Sequence, residues 1–145
     1  MYKSVLVATD GSDLATAAVN HATIIARAFN ARLTIVTVAL QGPIFDGMGA
    51  GVAIPQSVFD EVRRATLDQS SAILQKAAEA AGTGAQTEVV ESLSAYTGIL
   101  ETAKRIEADL IVMGSHSRSP LRRLILGSQA AKVVNLSDVP VLIIK

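Results

Sequence analysis

The chain has 145 residues, enough for one domain of ordinary size and too few for a second. Thirteen Lys and Arg balance thirteen Asp and Glu, and aromatic residues are 3% of the chain; a broad nucleic-acid footprint needs a basic excess, and single-strand binding needs stacking rings, so both are set aside. There is no Cys, and the two histidines, His21 and His116, lie far apart, which excludes disulfides, thiolate zinc sites, a cysteine nucleophile and a paired-histidine metal site.

Half of the residues are hydrophobic, as suits a core-rich globular chain, and a chain this long buries about 68–70% of its unfolded surface without staples. The opening "MYKSVLVATDGS" turns polar too soon for a signal peptide, and no apolar run reaches the ~18–20 residues of a membrane span. The expectation is a cytoplasmic protein without a membrane or nucleic-acid partner.

"KSVLVAT" (Lys3–Thr9) reads as a strand buried on both faces. "LATAAVNHATIIARAF" follows with helical spacing, and Ser12 is its expected N-cap. "ARLTIVTVAL" (Ala31–Leu40) is a second β-branched strand, so the opening is a βαβ unit and implies a parallel sheet. Residues 41–55, "QGPIFDGMGAGVAIP", read as a long loop. Its Gly47, Gly49 and Gly51 nearly spell a dinucleotide fingerprint, but the pattern needs glycine where Val52 stands, and no helix opens there.

A long amphipathic helix follows, with Ser57 as the expected N-cap, Asp60 in the first turn and Gly82 just past the end. "AQTEVVES" (Ala85–Ser92) is a strand polar enough for a sheet edge. "AYTGILETAKRIEA" is helical, with Gly98 a blemish in it. "DLIVMG" (Asp109–Gly114) is a buried strand, "SQAAKVVNLS" a short helix and "VPVLIIK" a last strand. This βαβαβαβαβ order predicts a single-domain α/β fold, an open doubly wound parallel five-stranded sheet with helices on both faces. Ligands of such sheets bind beyond the carboxyl ends of the strands, where the strand order reverses.

One segment, "MGSHSRSPLRRLILGS" (Met113–Ser128), concentrates small and basic residues at such a strand end. Gly127-Ser128 opens a helix, whose first N–H groups and dipole favour an anion. Gly127 lets the backbone approach a phosphate closely, and the Ser128 hydroxyl adds a donor or a metal-facing oxygen. Gly114 lets the chain turn sharply, and the N–H groups around it are suited to a concave anion nest. Arg118, Arg122 and Arg123 read either as phosphate contacts or as a solvated face, with Arg118 the best placed of the three. His116 reads either as a phosphate contact or as an exposed loop residue. Asp10 reads either as a ligand contact at the switch point or as a helix-start acid.

These residues resemble the universal stress protein family over nearly the whole chain, through "VLVATDGS", "ADLIVMGSHSRS", "LILGS" and "VPVLIIK". The family's ATP-binding branch carries G-x-x-G-x9-G-(S/T). Gly114, the nine-residue spacer, Gly127 and Ser128 match it, and Ser117 stands where the second glycine belongs. If position 117 needs a positive φ, Ser incurs strain of about 1 kcal/mol. If closeness matters, its Cβ pushes the phosphates away, and its hydroxyl is equally able to keep an altered site.

The resemblance implies strand order 3-2-1-4-5 and ATP as ligand, with Mg2+ or Mn2+ left open. It implies that Ala8, Thr9 and Asp10 lie beside the base and ribose, and that the backbone of Val38 reads the adenine edge. Met113, Gly114, His116, Ser117, Arg118, Gly127, Ser128 and Gln129 complete the implied binding set. It also implies a homodimer through Val139–Ile144, and an uninterrupted apolar edge strand calls for such a cover on physical grounds.

No sequence-local catalytic constellation stands out. The Walker G-x-x-x-x-G-K-(S/T) and the hydrolase elbow G-x-S-x-G are both absent. Three readings remain: a dimeric ATP-binding switch in the stress response, with ATP ordering residues 41–55 and 115–126; a non-nucleotide dimeric scaffold; and a weak ATPase whose hydrolysis is slow.

Overall fold

The computed structural model describes residues 1–41, 54–82, 84–115 and 126–145. The expectations for residues 42–53, and for His116, Ser117, Arg118, Arg122 and Arg123, fall outside the described residues.

The elements are β1 (Ser4–Ala8), α1 (Asp13–Phe29), β2 (Arg32–Leu40), α2 (Gln56–Ala81), β3 (Gln86–Ser92), α3 (Ala95–Arg105), β4 (Leu110–Gly114), α4 (Ser128–Leu136) and β5 (Val141–Ile144). The strands form one parallel sheet in the order β3-β2-β1-β4-β5, the expected doubly wound arrangement. β1 is central because Val5, Leu6 and Val7 are all apolar and all fully buried. Their alternation feeds two cores. Val5 and Val7 face α1 and α2 with Leu33, Ile35, Val19 and Leu74; Leu6 faces α3 and α4 with Val36, Ile99, Ile111 and Val133.

The amino ends of the strands are tied by polar contacts. Asp109 accepts from the backbone N–H of Lys3 (2.7 Å) and Ser4 (3.2 Å). The Arg32 guanidinium donates to the Ile106 carbonyl and the Ser4 hydroxyl. β3 and β5 are the two edges, as the polarity of the one and the late position of the other suggest.

Ser12 caps α1 as expected, its hydroxyl accepting from Ala15 N–H at 3.3 Å. α2 departs from expectation. It begins at Gln56, with Pro55 as N-cap and no side-chain cap, so Ser57 lies inside the helix and Asp60 lies beyond the first turn. Pro55 sits at φ −59°, an angle its ring fixes, and its backbone carbonyl accepts from Val58 N–H at 3.0 Å. Gly82 ends α2 at φ 81°, in the region that favours glycine.

Candidate functional site

Crossing from β3 to β4 carries the chain to the other side of β1, so the carboxyl ends of β1 and β4 diverge and leave a crevice. A cavity of about 370 Å³ opens there, within the ~300–1,000 Å³ of small-molecule sites. Ala8, Thr9 and Asp10 line it from β1, Val38 from β2, Met113 and Gly114 from β4, and Gly127, Ser128 and Gln129 from the start of α4. All nine described members of the expected set therefore meet at one place.

The turn after β1 is fixed by its own side chains. Thr9 Oγ1 accepts from Gly11 N–H (3.2 Å), and Asp10 Oδ1 accepts from Ser12 N–H (3.0 Å). Gly11 sits at φ 79°. The Thr9 backbone is held on both sides, its N–H donating to Val36 O and its carbonyl accepting from the Thr37 hydroxyl, each at 2.9 Å. Asp10 is thus a turn acid and a cavity residue at once, and its Oδ2 accepts no hydrogen bond among the described residues.

Each of the two glycines has a further task in the structure. Gly114 has no positive φ. A Cβ there would lie 3.1 Å from Leu14 Cβ, 3.2 Å from Leu14 C and 3.3 Å from Ala15 N; the glycine lets the end of β4 pack against the backbone of α1. Gly127 is at φ −59°, ψ 152°, open to any residue. Its N–H donates to Ser115 O at 2.8 Å, so it is not a donor for a ligand. The groups left over are the first-turn N–H groups of Ser128, Gln129 and Ala130, which have no intrahelical partner. α4 has no side-chain cap and no acid in its first turn, so no side chain of the helix itself offsets the positive end of its dipole at the cavity.

Among the described residues the only charged side chain on the cavity wall is Asp10. Its carboxylate and the α4 N-terminus give the cavity an acceptor and an anion-favouring donor cluster.

The sequence pattern of the universal stress protein family matches residues 1–145. The chain belongs to that family. Universal stress protein YxiE of Bacillus subtilis (strain 168) is 34% identical over 148 residues, covering the whole of both chains. A universal stress protein of Methanocaldococcus jannaschii is 34% identical over 145 residues, all of this chain and 83% of that one. The solved structure of a universal stress protein in complex with cAMP matches at TM-score 0.72 and 31% identity, over 99% of this chain and 97% of that one.

In this member of the universal stress protein family, the cavity has a wall that sequence reasoning missed: Leu93, Ser94, Ala95 and Ile99 at the start of α3, with Leu40 from β2. The signal was topological. In a parallel sheet every strand-to-helix turn lies at the carboxyl edge, so "LSA" after β3 had to join "TDGS" and "MGS". Gly98, the apparent blemish, is what brings α3 in. A Cβ there would lie 3.0 Å from Val38 Cγ2 and 3.2 Å from Ser92 Cβ.

At the outer edge, Glu91 on β3 accepts from Arg63 Nε and Nη2 of α2, both at 2.7 Å, and from the Gln41 amide. The Arg63 hydrogen bonds, then that from Gln41, hold the Glu91 carboxyl well below its usual range, at about 2. This network lines a separate cleft with Phe59 and Leu67, outside the crevice.

Proposed function

We propose that the chain binds an adenine nucleotide, ATP in the first instance, in the crevice between β1 and β4, and that it acts as a homodimeric nucleotide-dependent switch in the stress response. The convergence of nine expected positions from three strands and α4 on one cavity of nucleotide size carries the reading. The polarity of the cavity sets the orientation. Phosphates are repelled by Asp10 and attracted by the free N–H groups of α4, so they go to Ser128–Ala130. The ribose hydroxyls then fall to Asp10 Oδ2, and the base to the Val38 wall. The cAMP complex of the relative at 31% identity supports an adenine ligand. Among the described residues no three His, Asp or Glu side chains cluster as metal ligands. A Mg2+ or Mn2+ ion accompanying ATP would accordingly be held mainly by phosphate oxygens, with the Ser128 hydroxyl at the wall.

The dimer is supported by the edge of β5. Ile111 N–H donates to Pro140 O and Ser115 N–H to Ile144 O. Leu142 and Ile144 therefore face β4, and the N–H and C=O of Val141 and Ile143 point outward, ready to pair with a second copy.

The nucleotide reading is tested by calorimetric titration with ATP, AMP, cAMP and adenosine, alongside chromatography of any nucleotide released when the purified protein is denatured. Saturable ATP binding, tighter in Ser117→Gly or equal to it, is expected. Absence of binding by every adenine ligand, with none carried through purification, would leave only the scaffold reading.

A further inference from the structure

We infer that Gln129 sets the preference of this cavity for phosphorylated nucleosides over bare ones, through a side-chain amide whose two ends have different tasks; the inference rests on the nucleotide reading above. Gln129 lies in the first turn of α4 and on the cavity wall. Its Oε1 accepts from the backbone N–H of Tyr96 at 3.1 Å. A backbone N–H only donates, so the amide orientation is fixed: oxygen toward α3, NH2 away from it.

Tyr96 belongs to the first turn of α3, whose own N-cap, Ser94, makes no side-chain cap bond. The Ser94 hydroxyl is engaged with Thr97 Oγ1 at 2.7 Å. Gln129 is therefore the cap of a helix to which it does not belong. Lys132, one turn along α4, grips the same residue, its Nζ 4.7 Å from the Tyr96 ring centroid. The two contacts hold the first turns of α3 and α4 together at the mouth of the crevice. They also immobilise the amide, and its Nε2 has no partner among the described residues.

This leaves a pre-oriented donor on a cavity-wall residue in the same helical turn as the first N–H groups of α4, those of Ser128 and Ala130, with no acid in the first turn of either helix. A phosphate oxygen seated on α4 takes a charge-assisted hydrogen bond from Nε2. A bare nucleoside offers only neutral hydroxyl oxygens there, so the charge-assisted contribution of Gln129 to affinity arises only when a phosphate is present.

Two substitutions separate the two tasks. Gln129→Glu keeps an oxygen acceptor for Tyr96 N–H and removes the donor. Gln129→Met removes both without adding charge. Titrations of both variants and wild type with AMP, ATP and adenosine, together with thermal unfolding, read them out. Both variants are expected to weaken AMP and ATP about 10- to 100-fold, the range for a hydrogen bond to a charged group, and to leave adenosine within about two-fold; only Gln129→Met is expected to melt earlier. If Gln129→Met binds AMP as wild type does, the loss in Gln129→Glu is mere repulsion and the donor role is overturned. An equal loss for adenosine overturns the phosphate assignment. Wild-type protein that binds none of the three ligands refutes the nucleotide reading itself.

Discussion

Replacing Gly98 by alanine sets two opposed effects against each other at the wall of the crevice. Gly98 is buried in the first half of α3, where alanine gains about 1 kcal/mol of helix propensity over glycine. Against this, the new methyl would meet Val38 Cγ2 at 3.0 Å, Val38 Cγ1 at 3.1 Å and Ser92 Cβ at 3.2 Å. Val38 is β-branched and stands on a strand paired on both sides, so its χ1 has little freedom to turn away. Overpacking of this kind costs about 1–3 kcal/mol. The net expectation is a loss of about 1 kcal/mol, read as a fall in Tm of about 3–4 °C for a chain of this size. α3 must also back away from β2 or push Val38 into the cavity, so adenine nucleotide binding should weaken by about ten-fold. Urea unfolding followed by circular dichroism, with titration of the same preparation, measures both. A Gly98→Ala protein that is more stable than wild type and binds equally well would refute the close-approach reasoning.

Thr34 is buried on β2 and its hydroxyl has no hydrogen-bond partner among the described residues; Thr34→Val should raise stability by about 1 kcal/mol, the low end of the cost of an unmet buried polar group, and denaturant unfolding that shows a loss instead would overturn that reading. Glu91 has its folded pKa depressed to about 2 from an ordinary 4.5. Its pairing therefore stabilises the fold above pH ~4.5, and that contribution is lost as the pH falls toward 2. Wild type should exceed Glu91→Gln in Tm at pH 7, with the gap closing across that window, and a gap independent of pH would dissociate the effect from ionisation. Ile143→Pro removes an outward-facing N–H of β5 without touching the β4 ladder. Sedimentation at ~10 µM should find a dimer for wild type and a monomer for this variant, as one disrupted strand–strand seam is enough to break a pairing of four-residue strands.

The parts of the fold that were legible in the sequence are those whose cause is local. β1 and β4 declare themselves because Val5–Val7 and Ile111–Val112 are fully buried on both faces and so carry no polar alternation. β3 declares itself as an edge by its Gln, Thr and Glu residues. The start of α2 differs from the expectation because a serine is a visible cap, whereas Pro55 opens the helix through its fixed φ and its backbone carbonyl and carries no capping side chain. Gly98 and Gly114 look like flaws or hinges until their neighbours are known, and those neighbours, Val38 and Leu14, are far away in sequence. The same holds for the site. Asp10, Gly127 and Ser128 sit in recognisable turns, but the link from Gln129 to Tyr96 spans 33 residues and has no local pattern. The use of Gly127 N–H by Ser115 was equally invisible, and it moves the free donors one residue along the chain.

The Asp109 and Arg32 contacts lie at the amino ends of the strands, opposite the crevice. The two ends of the sheet are thus built differently: one is closed by polar ties and the other is left open as the crevice, with the length of the strands between them. Substitutions that loosen the closed rim act a strand's length away from the crevice.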